Sequence, residues 1–498
     1  MLKQKVVLLT NPLKSPPQLS NFTSDVLKLV SGTTIAQLLS ILAAPVLTRL
    51  YSPQDFGVFA LFTSVVSILV AVACLRYEYA IMLPETKEEA ANLLAVSLGL
   101  AFLVSILSFL SIWFGRQFIL SWLQMKDMEI YLWLIPPTVF IVGVSQVFNY
   151  WNSRTKNFGL LSIAKITSSL ATTASMLGFG YLGHATSGAM IGSSIGGQAI
   201  ITAIWGGQIW HDNAKLFQQS IRWRDIIVVS KRYRKFPYYD TWAAALNVTS
   251  WQLPIFILST FFPSTIVGFY SLGFRVLQIP MSIVGSAIGQ VFFQRAVDAH
   301  AQGTLNSLVE NVFRQLVMLS LFPMLMLCII SKDLFFIIFG PGWVEAGIYV
   351  QILSIWAFCW FVSSPLGLVF SALEKQEHML RWNLVNFGTR FTSLWVGGVF
   401  QDARMAIILF SSSGVLIYGY MIFSILISAD VSLRKAGQIL LVNFLLFFPA
   451  GVLLIYLTMI NVDVYIKSLI AMIFWACHLF YIIKTQWNFI RPSIPVQN

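Results

Sequence analysis

Charge is what this sequence has least of. Lys, Arg, Asp and Glu make up 10% of its 498 residues, against about 25% in a typical soluble domain. Hydrophobic residues make up 57% and the mean hydropathy is +0.76, so a water-soluble core is excluded. Cysteine is also sparse: Cys74, Cys328, Cys359 and Cys477 all lie in apolar runs, with no CxxC and no Cys/His spacing that could build a metal site. No Gly-Lys dipeptide occurs, which removes any Walker A loop and nucleotide hydrolysis of the P-loop kind. His184, His211, His300, His378 and His478 form no HExxH pattern. Enzymatic chemistry has no visible centre, and neither a catalytic residue, a metal nor a cofactor is implied.

What the chain does have is a succession of apolar runs from residue 26 to residue 483, each long enough to cross a hydrocarbon core of about 30 Å. Cut at polar, Pro and Gly breaks, they predict an all-α integral membrane protein of about 14 transmembrane helices. These start near Val26, Phe56, Ala90, Ile130, Leu160, Ala185, Tyr238, Val267, Asn311, Gly347, His378, Ala403, Gly437 and Val462. At the tight turns 182–185 and 400–403 a single long helix is the rival reading. The first 25 residues hold Pro12, Pro16 and Pro17 and no apolar run of signal-peptide length, and read as a short cytoplasmic tail.

The net charge of +12 would suggest nucleic acid in a soluble chain, but here the basic residues sit in short connectors and set topology instead. With the N-terminus inside, all of the 32 Lys and Arg fall at cytoplasmic ends except nine. Arg49, Arg116, Lys126, Lys332, Arg404 and Lys467 fall outside, and Lys165, Arg275 and Arg390 fall within helices. Both termini are therefore expected in the cytoplasm. The longest outside loops, residues 115–129 and 331–346, are too short to hide a catalytic domain.

The chain contains its first half twice. Leu47, Tyr51, Gly57, Phe59 and Leu61 stand opposite Leu258, Phe262, Gly268, Tyr270 and Leu272 without a gap. The repeat divides the chain into a tail (1–25), an N-lobe of six helices (26–210), a basic cytoplasmic linker (211–237), a C-lobe of six helices (238–428), and an extra helix pair with a cytoplasmic tail (429–498). Both copies begin with an outward-going helix, so the lobes are parallel repeats about an axis along the membrane normal.

An ionisable residue inside a membrane helix costs about 2.5 to 3.5 kcal/mol on insertion scales and usually faces a bundle interior or a watery cavity. Arg275 lies on one face with Ser271, Gln278 and Ser282, at spacings of 4, 3 and 4. Arg390 shares a face with Asn383, Asn386 and Ser393, and Lys165 with Ser162, Ser169 and Thr172. Lys165 and Arg390 occupy equivalent helices of the two lobes, and the three cations read as a cationic centre between the lobes. The alternative is a cation that snorkels to the interface or satisfies backbone carbonyls. Arg76 and Glu78, at the end of the second helix, are about 200° apart on a continuous helix and are not expected to pair; a place at a cavity mouth and an ordinary interfacial place are both open. Gln37, with Thr33, Ser40 and Thr48, gives a weaker polar face that suits helix packing.

Four segments carry a resemblance. They are residues 47–62 (LTRLYSPQDFGVFALF), 75–84 (LRYEYAIMLP), 267–295 (VGFYSLGFRVLQIPMSIVGSAIGQVFFQR) and 339–353 (FGPGWVEAGIYVQIL). Together they resemble the signature segments of Wzx-type polysaccharide and O-antigen flippases, in the superfamily that also holds the MATE exporters and lipid II flippases. Phe274 to Pro280 is also similar to the eighth helix of the lipid II flippases, where an Arg precedes a Glu by three and a Pro by five. Gln278 replaces the Glu here, so a local charge pair is not implied.

The resemblance implies a V-shaped bundle that alternates its opening. It would carry an undecaprenyl-diphosphate-linked oligosaccharide from the cytoplasmic to the periplasmic face of the bacterial inner membrane. Arg275 and Arg390 would then hold the headgroup, with Gln278, Asn386 and Lys165 bonding sugar hydroxyls. The partners implied are the lipid-linked oligosaccharide, membrane lipids, and the polysaccharide polymerase and chain-length proteins, with no nucleic acid. A MATE-type multidrug exporter is the alternative, and it would be expected to carry an acidic coupling residue, which the first helix lacks. A glycosyltransferase or polymerase would require a large outside loop.

Overall fold

The computed structural model describes residues 19–123 and 126–490, and among these it contains helices and no strand. The N-lobe comprises α1 (Leu19–Leu50), α2 (Pro53–Ala73), the short α3 (Tyr77–Ala80), α4 (Lys87–Leu123), α5 (Ile135–Arg154), α6 (Phe158–Tyr181) and α7 (Ser187–Ser220). A connecting helix α8 (Trp223–Arg232) leads to α9 (Thr241–Phe261), α10 (Ser264–Pro280), α11 (Ser286–Ala301), α12 (Leu305–Phe339), α13 (Val344–Leu366), the short α14 (Leu368–Ala372), α15 (Gln376–Val399) and α16 (Ala403–Ser428). The pair α17 (Leu433–Met459) and α18 (Val464–Ile490) packs on α12.

Packing repeats as the sequence does. In the N-lobe α1 lies against α6, α4 against α5, α5 against α7 and α6 against α7; in the C-lobe α9 lies against α15, α12 against α13, α13 against α16 and α15 against α16. These are corresponding pairs of the two copies, and the chain is two six-helix lobes in parallel repeat plus a C-terminal pair. Eleven of the described helical segments are long and apolar enough to cross a membrane. The other three expected spans fall on α9, on α10 with α11, and on α15, which are shorter or richer in polar residues. These are the helices that carry Gln252, Arg275 and Arg390.

Helix ends follow local chemistry. Ser52 caps α2 in a reciprocal box: the Asp55 amide donates to Ser52 Oγ at 3.2 Å and the Ser52 amide to Asp55 Oδ2 at 3.1 Å, with Pro53 at the first helical position. The turns between α6 and α7 and between α15 and α16 are true breaks, with Gly183 at φ +81° and Gln401 at φ +55°. Pro280 has no N–H to give the preceding turn, and the helix passes through one wide π-type turn, Met281–Gly285, before resuming as α11.

The lobes meet along α2, which packs on α9 and α10. At the seam Gly57 lies against Gly268, its partner in the repeat. A Cβ on Gly57 would fall 1.8 Å from the Ser264 carbonyl oxygen, and one on Gly268 equally close to that of Pro53. Only two glycines allow this approach. Beside it the Trp343 indole donates to the Thr48 carbonyl at 2.8 Å and stacks edge-on against Phe56 at 4.8 Å. This end of the molecule is closed by backbone contact.

Two boundaries differ from expectation. The first helix begins at Leu19 and takes in residues 19–25, assigned to the tail; the rest of that tail, and residues 491–498, lie outside the described residues. The 211–237 linker is mostly helical, because α7 runs on to Ser220 and α8 follows within three residues. It is pinned to the N-lobe: Asn92 Nδ2 donates to the Ser220 carbonyl, Tyr77 Oη to that of Ser230, and Arg232 pairs with Glu89 at 2.6 Å.

Candidate functional site

Between the lobes lie three cavities that share walls. The first, of about 540 Å³, is bounded by α1, α6 and α7 of one lobe and by α10 of the other, and Gln37, Lys165, Arg275 and Gln278 line it. A middle one, of about 340 Å³, lies between α2, α9 and α10 and shares Arg275 and Gln278 with the first. The third, of about 520 Å³, is bounded by α2, α5, α7 and α9 and has Arg76 among its walls; it shares Thr63, Trp251 and Gln252 with the middle one. Among the described residues no Asp or Glu lines any of them.

The hydroxyls of the polar stripes are mostly spent on backbone. Ser169 Oγ donates to the Ala36 carbonyl at 2.9 Å, Ser168 Oγ to that of Gly197 at 2.7 Å and Ser271 Oγ to that of Gly268 at 2.9 Å. The first two tie α6 to α1 and to α7, and the third stays within α10. Arg275, Gln278 and Gln37 are exposed within the bundle and Lys165 half-exposed. Among the described residues neither Lys165 nor Arg275 has an acidic partner or a hydrogen bond. Two free cations from opposite lobes therefore face one cavity, and each lies on a helix that crosses the bundle.

Arg390 has a different place. It is 2% exposed and lines none of the three cavities. Its Nη2 donates to Tyr418 Oη at 2.7 Å and its Nη1 to the Ser250 carbonyl at 3.3 Å, while the guanidinium lies 4.6 Å from the centre of the Trp251 ring. Asn386, one turn earlier, is also buried and its Oδ1 has no partner. The structure thus brings together Arg275, Gln278 and Lys165, and it keeps Arg390 and Asn386 inside the C-lobe, behind Trp251.

Arg76 and Glu78 do approach each other, contrary to expectation, at 3.9 Å. The reason is that α2 stops at Ala73, and Leu75 and Arg76 take left-handed backbone at φ +45° and +63°. The angular argument held only for an unbroken helix. Arg76 is also 3.9 Å from Asp240 and lies 4.6 Å over the Tyr79 ring. Glu78 is 2% exposed, and burial pushes its carboxyl up to about 7 against the opposing pull of Arg76.

Sequence reading passed over Trp251, Gln252, Gln146 and Gln198, which line the third cavity. The signal was available, since each Gln lies within an expected span beside other amides or hydroxyls: Gln146 with Asn149, Gln252 with Asn247 and Gln198 with Thr202. Among the described residues no three His, Cys, Asp or Glu side chains converge as metal ligands would.

Two lobes around a polar cleft, closed at one end by a repeat-related glycine contact, define the architecture. Two solved structures share the fold. The lipid II flippase MurJ in its inward closed conformation superposes with a TM-score of 0.70 at 11% identity, covering 92% of this chain and 99% of that one. An inward-facing multidrug resistance MATE transporter of the MOP superfamily gives 0.60 at 13%, covering 81% and 98%. Residues 46–347 match the family described as polysaccharide biosynthesis protein, and the chain belongs to that family. A membrane protein of the cps region of Klebsiella pneumoniae, itself uncharacterized, is 24% identical over 382 residues, or 74% of this chain and 76% of that protein. The resemblance to Wzx-type flippases read from the four sequence segments stands with these matches.

Proposed function

We propose that the chain translocates an undecaprenyl-diphosphate-linked oligosaccharide across the bacterial inner membrane, from the cytoplasmic to the periplasmic face, for surface polysaccharide synthesis. The observation that carries this reading is the cavity that holds Arg275 and Lys165 without partners and without an acid among the described residues. A diphosphate needs cations in a site shielded from bulk water, and the guanidinium offers it paired hydrogen bonds. Gln278 and Gln37, also unspent, supply further donors at the same wall. The lobes alternate by opening and closing about the seam at Gly57 and Gly268, while the lipid tail stays in the bilayer. With the termini in the cytoplasm, as the distribution of Lys and Arg supports, an inside-negative potential favours outward movement of the anion by about 2.3 kcal/mol per charge per 100 mV.

A cation-coupled drug exporter has less support, because among the described residues no carboxylate lines the cleft. The test is deletion in the host followed by complementation. Loss of surface polysaccharide with build-up of lipid-linked oligosaccharide on the cytoplasmic side, reversed by the wild-type chain, is the expected result. Normal polysaccharide with altered drug tolerance would overturn the reading.

A further inference from the structure

Amides line the whole cleft, but the unpartnered charges gather at one end of it. The cavity of Lys165 and Arg275 holds the unpartnered cations. The third cavity has one cation, Arg76, already drawn toward Glu78 and Asp240 at 3.9 Å each. Its other polar groups are neutral, and their unused capacity is specific. Gln252 Oε1 accepts from Ser64 Oγ at 2.9 Å, which leaves its NH2 free. Gln198 Nε2 donates to Ser145 Oγ at 2.8 Å, which leaves its carbonyl oxygen free. Gln146, half-buried, has no hydrogen bond within the described residues, and neither has the indole N–H of the half-buried Trp251. The wall thus presents spare donors and spare acceptors side by side, around one flat aromatic ring.

We propose that this cavity is the sugar chamber of the transport path, taking uncharged pyranose units with Trp251 as their stacking platform and Gln146, Gln198 and Gln252 as their hydroxyl partners. The assignment rests on the flippase reading and divides its substrate: the diphosphate lies at Arg275 and Lys165, the neutral sugars beside Trp251. Each sugar hydroxyl is both donor and acceptor, which matches a wall of half-satisfied amides and would be poorly matched by cations alone. A pyranose ring also has a face of C–H groups that needs a flat apolar partner. Trp251 lines two of the three adjoining cavities, so a glycan running from the cation cavity through the middle one meets it. The volume of about 520 Å³ is within the range of small-molecule sites.

The same geometry gives Arg390 its function as a positioning residue. One face of the indole is covered by the Arg390 guanidinium at 4.6 Å, and Trp360 packs against the ring at 5.0 Å between centroids. A tryptophan at a cavity wall has rotamers to lose, and holding it in one of them beforehand favours binding.

The experiment measures binding to the purified full-length chain of two probes, undecaprenyl diphosphate and the glycosylated lipid extracted from a host that lacks this protein. The quantity read is the ratio of the two affinities. Trp251→Ala is expected to lower the affinity for the glycosylated lipid at least about tenfold, and that for undecaprenyl diphosphate less than about twofold, while Trp251→Phe recovers most of the loss. Arg275→Ala weakens both probes together. Arg390→Ala lowers the ratio in the wild-type background and leaves it unmoved in Trp251→Ala, a non-additivity that a merely structural role would not produce. An unchanged ratio in Trp251→Ala, with both probes still bound, overturns the chamber and leaves the flippase reading standing. Failure of the wild-type chain to bind either probe overturns both.

Discussion

Arg275 and Arg390 have the same signature in the sequence, a deep arginine on a stripe of polar residues three and four apart, and opposite fates in the fold. Arg275 projects from α10 into the gap between the lobes, where among the described residues no carboxylate or carbonyl meets it. Arg390 projects from α15 into its own lobe, where α16 supplies the Tyr418 hydroxyl and α9 supplies the Ser250 carbonyl and the Trp251 ring. A buried cation must find compensation. The C-lobe provides it internally for Arg390, and Arg275 is left to find it in water or in an anionic cargo. On the proposed function, what separates a binding residue from a scaffold residue is whether neighbouring helices have already spent its hydrogen bonds, a property of the packing and not of the stripe.

The largest effect that follows is on transport. Arg275→Ala is expected to reduce polysaccharide export about 100-fold, the loss of roughly two powers of ten in transition-state stabilisation, at unchanged protein level and unchanged thermal unfolding. Arg390→Ala should do the reverse in kind. It removes two charge-assisted hydrogen bonds and a desolvated cation–π contact, at a cost of roughly 2–4 kcal/mol. Thermal unfolding in detergent and protein yield would both fall. If the two variants shifted unfolding equally, the contrast between them would be lost. A smaller change sharpens the same contrast: Tyr418→Phe deletes only the acceptor of the 2.7 Å bond and should cost about 1–2 kcal/mol of stability. No change in unfolding would show that Arg390 is held by the aromatic rings and the Ser250 carbonyl alone.

Helix starts were legible because their signals are local. The Ser52–Asp55 box, Pro53, Gly183 and the turn at Gln401 lie within a few residues of the boundary they set. The two-lobe repeat was legible for a related reason, since Gly57 and Gly268 must both be glycine for the seam to close. The place of Arg390 was not legible. Its partners come from 28 and 140 residues away, and nothing near Arg390 marks them. The Arg76–Glu78 approach was hidden by two left-handed residues, Leu75 and Arg76, neither of them the glycine that would have announced a break. The helical form of the linker was masked by its basic residues, which set its side of the membrane and leave an apolar face, with Val229 buried, free to pack.

Arg76 stands between the two cases, because it lines a cavity as Arg275 does and has partners as Arg390 has. Its partner Glu78 gives the smallest and most easily separated effect, in pH dependence. The groups that face Glu78 are Arg76, Asp240, Cys74 and Tyr150; burial, with Asp240 adding to it, outweighs a backbone hydrogen bond and Arg76 and holds its carboxyl at about 7, above its ordinary 4.5. Between those two values the folded chain binds more protons than the unfolded one, so this group makes stability fall as pH rises from about 4.5 to about 7 and adds no slope above. The full penalty is roughly 3 kcal/mol, since a tenfold change in proton affinity is worth about 1.4 kcal/mol. Glu78→Gln cannot ionise and should be more stable than the wild type at pH 8, with the advantage shrinking as pH is lowered to 5. A constant difference across that range would mean that Glu78 does not titrate there. An advantage that grew toward low pH would mean that Arg76 governs the carboxyl and holds it ionised.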